Sequence, residues 1–348
     1  MAENYIYDDS YDQIHHIDFD VLDSGEIEKM SALGPGPGIE LAEAGNSDQG
    51  PKKGGLSDAR LGTSTNDTNC VTCGLNTEYC PGHFGHINLA EVVFHVGYLP
   101  FVHKILTCVC KRCSRLLVHK NEDELREILK TKSGKECMAY VRAATKNVTN
   151  CQYCATQVSK IKIEVKKASG LISIVSEIEP DNKDELEGKK KLRQELTPDM
   201  VYHILKNVSD VDCRSMGMNP DRSRPEGMIH LTFPVPPVQM RPSAKGDFMG
   251  GASMEDDLTH KLADIIKANS RIIKNKENQT ENNMKFSGEH THLLQYQVGT
   301  YLESESMSLM KNDNKGKQFK SLASRLKGKT GRVRGNLMGK LLLITGSY

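Results

Sequence analysis

The sequence contains no tryptophan, and aromatic residues fill only 5% of its 348 positions. Large aromatic anchors for a core are therefore few. No apolar run approaches the ~18 residues that a membrane-spanning helix needs, which excludes an integral helical membrane protein. The first twenty residues, MAENYIYDDSYDQIHHIDFD, are acidic and lack an apolar h-region, which argues against a secretory signal. Without secretion, the ten cysteines point to metal ligands or free thiols rather than to a disulfide framework. A hydrophobic content of 37% suffices for a core. The length corresponds to about two domains at ~150 residues each.

A net charge of +1 conceals an asymmetry. Residues 311–340 hold ten of the 46 Lys/Arg and one of the 45 acids, a local +9, so the remainder carries −8. An acidic body with one concentrated basic segment suggests a polyanion-binding device on a solvated scaffold; a disordered basic tail is the plainer alternative. Gly316, Gly328, Gly331, Gly335 and Gly339 allow close approach to phosphates but suit such a tail equally.

Patterning predicts a mixed, α+β chain. GPGPG (34–38) and GNSDQGPKKGG (45–55) read as loops, with Ile27–Met30 ending a short helix. Asn121–Lys130 has helical spacing, with Leu125, Ile128 and Leu129 on one face. KIKIEVK (160–166) alternates strictly and, with LISIV (171–175), predicts a hairpin with one wet face. Residues 180–195 read as a charged linker, and a helix starts at Thr197-Pro198 with Val201, Ile204, Leu205 and Val208 inward. Residues 233–253 read as a Pro- and Gly-rich excursion. Ser253 with Asp256 resembles a capping box before a helix whose apolar stripe is Leu258, Leu262, Ile265, Ile266, Ile272 and Ile273. A second helix over about 289–304, with Leu294, Val298 and Tyr301 on one face, would complete a helical hairpin.

Two constellations have metal-ligand spacing. Cys70-x2-Cys73-x6-Cys80-x2-His83 offers four donors on two tight turns, which suits structural zinc with no open position. His86, three residues on, is the competing imidazole; His95 and His103 read as ordinary residues. Cys110-x2-Cys113 and Cys151-x2-Cys154 are two half-sites, and the long loop between them adds little closure entropy. Cys108 is the competing thiol there. Cys137 and Cys213 read as small core residues. A redox relay through C-x2-C would need a thioredoxin-like context that neither pair has.

The order of strings is specific. GGLSDARLGT (54–63), YCPGHFGHINLAEVVFHVGY (79–98), ILTCVCKRCSRLL, CQYC, LTPDMVYHILKNVSDVDCRSMGMNP (196–220), HLTFPVPPVQMRPS, EDDLTHKLADIIKAN and RLKGKTGRVRGNLMGK (325–340) follow one another. Together they resemble the amino-terminal part of the largest subunit of multisubunit DNA-directed RNA polymerase. The second nuclear enzyme and the archaeal and large-DNA-virus enzymes are the nearest types. The resemblance covers about residues 15–340. It implies a clamp core over 1–98 and 228–348 and a clamp head over 99–227. It also implies a lid-like loop at 237–253, a factor-docking helical hairpin at 255–305, a rudder-like stretch at 307–322 and a switch-like stretch at 325–340. The metal ligands it implies are Cys70, Cys73, Cys80 and His83, then Cys110, Cys113, Cys151 and Cys154, for two structural Zn2+. That favours His83 over His86 and leaves Cys108 out. Arg325, Lys327, Lys329, Arg332, Arg334 and Lys340 would contact template DNA or the RNA–DNA hybrid. The alternation of Lys327, Lys329, Arg332 and Arg334 with small residues also suits an extended reader of phosphates, which needs no base specificity.

The implied partners are the second-largest subunit, the remainder of the largest subunit, template DNA, the RNA–DNA hybrid and transcription factors, with no membrane. The implied setting is intracellular: the nucleus, or a viral factory or virion. The family's aspartate-rich loop, N-A-D-F-D-G-D, which holds catalytic Mg2+ for nucleotidyl transfer, does not occur in this sequence. Glu255-Asp256-Asp257 reads as a solvated helix start. The expectation is thus a polymerase part that is inactive alone. After Lys340 the sequence reads LLLITGSY and departs from the family, which suggests a truncated product or a split gene. The alternative is a stand-alone zinc-stabilised protein that binds nucleic acid or transcription factors.

Overall fold

The computed structural model describes residues 20–43, 51–63, 68–118, 134–166, 171–178, 192–245, 253–277, 281–304 and 319–338. Helix and sheet mix, as the α+β pattern predicts. The segments at 121–130 and 307–318, and Lys340, lie outside the described residues.

The organising element is a two-stranded antiparallel ribbon, β1 (Gly85–Phe94) against β5 (Ile229–Val235). Its register jumps between Asn88, opposite Thr232, and Val93, opposite His230. The bulged residues lose their ladder partners, so their polar groups need others. Two side-chain amides bond backbone groups in the bulge and on either side of it. Asn269 accepts from Ala90 N at 2.7 Å and donates to Asn88 O at 2.9 Å. Gln295 accepts from Phe94 N at 2.6 Å and donates to Phe94 O at 2.9 Å.

Those amides belong to the helical hairpin of α6 (Asp257–Glu277) and α7 (Glu281–Leu302). The 21 residues of α6 span about 31 Å at 1.5 Å each. Lys261–Gln297 and Asn275–His290 contacts set the antiparallel pairing. Leu258, Leu262, Ile265, Ile266 and Ile272 are buried with Leu294, Val298 and Tyr301 against Ile87, Phe233 and Val235. Ile273 is 42% exposed, so the predicted stripe ends at Ile272. The second helix starts at Glu281 rather than near 289. Ser253 pairs in a strand, and Asp256 alone caps α6, accepting from Leu258 N at 2.8 Å. The expected capping box therefore does not form.

The other end of the ribbon enters a second core. The first helix, α1, is Ser24–Met30; Phe94 and Ile229 pack in this second core with α2 (Leu99–Leu106), α3 (Gly134–Thr145), α4 (Pro198–Lys206) and α5 (Asp210–Ser215). Thr197 caps α4 by accepting from Met200 N, ahead of Pro198, as the sequence predicts. A three-stranded sheet covers this core, in the order β2 (Lys160–Lys166), β3 (Leu171–Ile178), β4 (Leu192–Leu196).

The hairpin at 160–178 thus forms, with two departures. Residues 192–195, expected as linker, make an edge strand because Arg193 ties it to Glu177 and Glu164. The expected wet face is partly covered, since Val175 and Glu177 on β3 are buried and Glu177 pairs with Lys162 at 2.8 Å. The 233–253 excursion is also more ordered than expected. It contains the end of β5, a turn at Val238–Met240 and a small ribbon of β6 (Ala244–Lys245) with β7 (Ser253–Met254); 246–252 lie outside the described residues.

Candidate metal centres and basic segment

Three C-x2-C-type turns share one backbone pattern. The amide four residues after the first cysteine donates to that cysteine's carbonyl: Gly74 to Cys70 at 2.8 Å, Ser114 to Cys110 at 2.9 Å, Ala155 to Cys151 at 2.9 Å. The cysteine amide in turn donates to the carbonyl five residues on, that of Leu75, Arg115 or Thr156, at 2.9 Å each time. This loop needs a left-handed residue at its fifth position. Gly74 supplies φ 72°, whereas Ser114 and Ala155 adopt φ 57° and 53° despite carrying a Cβ. That conformation costs roughly 1–2 kcal/mol per residue, so something holds these turns shut.

In the first group, Cys70, Cys73, Cys80 and His83 place one donor atom each within 4.8 Å of one another. Cys80 Sγ lies 3.8 Å from His83 Nε2. The His83 amide donates to Leu61 O at 3.0 Å, anchoring this end of the knuckle to the short turn Ala59–Leu61. Gly82, at φ 81°, lies so close to Pro237 and Gln239 that a Cβ would strike both side chains. His86 faces the other way. It is fully buried, with Nδ1 2.7 Å from Ser31 Oγ and Nε2 3.1 Å from Gly36 O, under the GPGPG loop. Its role is to hold that loop.

In the second group, Cys110, Cys113, Cys151 and Cys154 also gather within 4.8 Å. Cys110 Sγ is 3.5 Å from Cys154 Sγ, and Cys113 Sγ is 3.6 Å from Cys151 Sγ. A disulfide would need about 2.05 Å. The edge of a tetrahedron with zinc–sulfur bonds of about 2.3 Å is about 3.8 Å, and a mixed sulfur–nitrogen edge is about 3.6 Å. The spacings thus fit a shared ion better than a sulfur–sulfur bond. Cys108 stands apart, buried, receiving the Thr145 hydroxyl at 3.8 Å. Cys137 and Cys213 are buried as well.

The electrostatics agree with the spacing. Thr156, through its hydroxyl and amide, holds Cys154 down to about 6. Burial and the neighbouring sulfurs push Cys113 up to about 12. Crowded thiols cannot all ionise unless a cation sits among them. Both donor sets fit zinc, with sulfur or sulfur and imidazole, four donors and partial burial.

The basic segment is less uniform than its sequence. Arg325 ends α8 (Leu322–Leu326) and donates to Asp256 Oδ1 at 2.6 Å, joining the segment to the start of α6. Its side chain is only 22% exposed. Lys327, Lys329, Arg332 and Arg334 are exposed. The backbone is not extended as expected. Lys327 N caps back to Ala323 O, Gly328 turns the chain at φ 86°, and Val333–Met338 winds as a π-helix. Gly331 packs under the Leu326 and Lys327 carbonyls, where a Cβ would collide.

What sequence reasoning missed is the shared left-handed position of the three turns and the Arg325–Asp256 tie. The first had a faint signal in Gly74, four residues after Cys70. The second had none.

Comparison with known proteins gives a consistent result. The family model "RNA polymerase Rpb1, domain 1" matches residues 11–337. DNA-directed RNA polymerase subunit 1 of Acanthamoeba polyphaga mimivirus is 43% identical over 341 residues, 95% of this chain and 23% of that protein. DNA-directed RNA polymerase subunit Rpo1N of Methanocaldococcus jannaschii is 36% identical over 338 residues, covering 94% and 23%. Its counterpart from Thermococcus celer is 34% identical over 336 residues, covering 94% and 35%. The chain therefore spans about a quarter to a third of the length of these relatives.

Proposed function

The chain belongs to the RNA polymerase Rpb1 domain 1 family, and from that premise we propose that it is the zinc-bound clamp of a DNA-directed RNA polymerase, gripping template DNA and the RNA–DNA hybrid. The observation that carries this is the match over 11–337, which runs through both cysteine groups and the exposed basic segment. Residues 1–98 and 228–348 act as clamp core and 99–227 as clamp head, with the β1–β5 ribbon joining their two hydrophobic clusters.

Cys70, Cys73, Cys80 and His83 would hold one zinc ion and Cys110, Cys113, Cys151 and Cys154 the other; zinc there would supply cross-linking and charge neutralisation, with no donor position left for substrate. Lys327, Lys329, Arg332 and Arg334, with Lys340, meet phosphates without reading bases. Arg325 positions that segment through Asp256 rather than touching nucleic acid. The hairpin 255–305 offers a docking face for transcription factors. The second-largest subunit and the rest of the largest subunit complete the enzyme. The family's aspartate-rich loop does not occur in this sequence, so Mg2+ and catalysis are assigned to another part of the assembly.

Co-expression with the second-largest subunit and a chain bearing the aspartate loop tests this. The expected result is co-purification of all three, close to two zinc ions per copy of this chain, and photo-cross-links from position 332 or 334 to template DNA. This chain alone should incorporate no nucleotide. A metal-free, well-folded chain that ignores both partners would overturn the proposal.

A further inference from the structure

A cavity of about 380 Å³ opens in the clamp-head region, and its lining includes no residue of the cysteine groups or the basic segment. Helix α2 supplies Phe101 and Lys104, α3 supplies Lys135, Met138 and Arg142, and the turn after α5 supplies Met216. Spacing on each helix explains the convergence. Positions 101 and 104 are i, i+3, and 135, 138 and 142 are i, i+3, i+7, so each set shares a face. Met138 and Met216 form a buried floor, at 5% and 1% exposure. Thioether floors adapt to varied apolar shapes. One wall is a backbone contact between Gly134 and Gly217, where a Cβ on either residue would run into the other's carbonyl.

The rim has one sign of charge. Lys104, Lys135 and Arg142 line it, and among the described residues no acidic one does. None of the three pairs with a carboxylate among the described residues. Other cations of the same unit do pair with carboxylates: Lys162 and Arg193 with Glu177, Arg214 with Asp221, and Arg224 with Glu226.

We propose that this cavity is a docking site for a short amphipathic helix of a partner protein, with acidic residues at i and i+7 and a large apolar residue between them. Lys135 and Arg142 lie about 10.5 Å apart along α3, at 1.5 Å per residue. That is the separation of carboxylates two turns apart on a helix lying alongside. The intervening apolar residue, at i+3 or i+4, falls over Met138 and Met216. This is helix-in-groove recognition with charge-set register. The site shares no residue with the metal or template assignments and does not depend on them.

The test uses the full, zinc-loaded chain and a fluorescein-labelled 14-residue synthetic helix with Glu at i and i+7 and Leu at i+3 and i+4. A control peptide of identical composition moves the two acids to i+2 and i+5. Saturable binding is expected, weakened at least tenfold by Lys135→Glu with Arg142→Glu. The control peptide should bind at least fivefold more weakly. Lys146→Glu, which lines only the neighbouring larger cleft, should change affinity less than twofold. Equal binding of both peptides, equal sensitivity to Lys146→Glu, or absence of saturation would overturn the proposal. So would a single-stranded oligonucleotide that binds more tightly and is lost on the same double reversal.

Discussion

Zinc chelation tests the energetics proposed for the second cysteine group. The apolar cluster beside it is small: Leu117 is buried, and Val148 and Val158 are half-buried. Full burial of one such side chain is worth roughly 1.5–3 kcal/mol, so the three together contribute about 3–6 kcal/mol. Against that, Ser114 and Ala155 stay left-handed at roughly 1–2 kcal/mol each. A four-donor zinc site supplies on the order of 10 kcal/mol or more. The metal term therefore exceeds the net apolar term severalfold, and the turns should not survive without it. With a chelator, or with Cys110→Ser, the amides of Cys110, Ser114, Cys151 and Ala155 should lose their hydrogen-exchange protection. Amides in α4 and β5, which rest on the larger cluster, should keep theirs. Retention of slow exchange at all four turn amides after complete metal release would refute the reasoning.

Four further outcomes are expected. If Lys327, Lys329, Arg332 and Arg334 each meet one phosphate, log K against log[salt] should have a slope near −4, and Arg332→Ala with Arg334→Ala should lower its magnitude by about two; an unchanged slope removes both from the DNA path. Arg325→Ala should leave that slope nearly intact and lower the melting temperature, since it breaks the tie to Asp256. Gln295→Leu strands the buried Phe94 amide and carbonyl, so urea unfolding should show a loss of about 2–4 kcal/mol. Burial drives His230 down to about 3 and His95 to about 4. Both fold neutral and the unfolded chain binds more protons, so stability is complete above about pH 6.5 and is lost as pH falls toward those values. His230→Phe should flatten the loss between pH 6.5 and 5 relative to the parent, read by denaturant midpoints.

Periodic signals survived translation into structure where burial on one face is enforced. The α4 stripe and the Leu294, Val298 and Tyr301 face are such cases, because slipping either would expose several large side chains. Metal-ligand spacing was legible for the same reason: two donors three residues apart reach one point only if the chain turns between them. Features that depend on distant partners were not legible. Strand 192–196 is four-fifths exposed in its residue pattern and exists because β3 offers an edge and Glu177 a partner. Asn269 and Gln295 look like polar interruptions in amphipathic helices. Their meaning appears only beside a bulge 179 to 201 residues away in sequence.

The basic segment combines both situations. Its composition predicted a polyanion surface, and the five cations between 325 and 334 (Arg325, Lys327, Lys329, Arg332 and Arg334) looked equivalent. Packing divides them. A carboxylate at the start of α6 captures the first, and that capture fixes where the other four stand. An arginine lying across a helix start is held by charge and by the cap's own hydrogen bond to Leu258, so the anchor moves with the hairpin. Anything that shifts the 257–302 hairpin should therefore displace Lys327, Lys329, Arg332 and Arg334 as well. Loss of that coupling in Arg325→Ala, read as factor binding that no longer alters template affinity, is the consequence by which the anchoring role stands or falls.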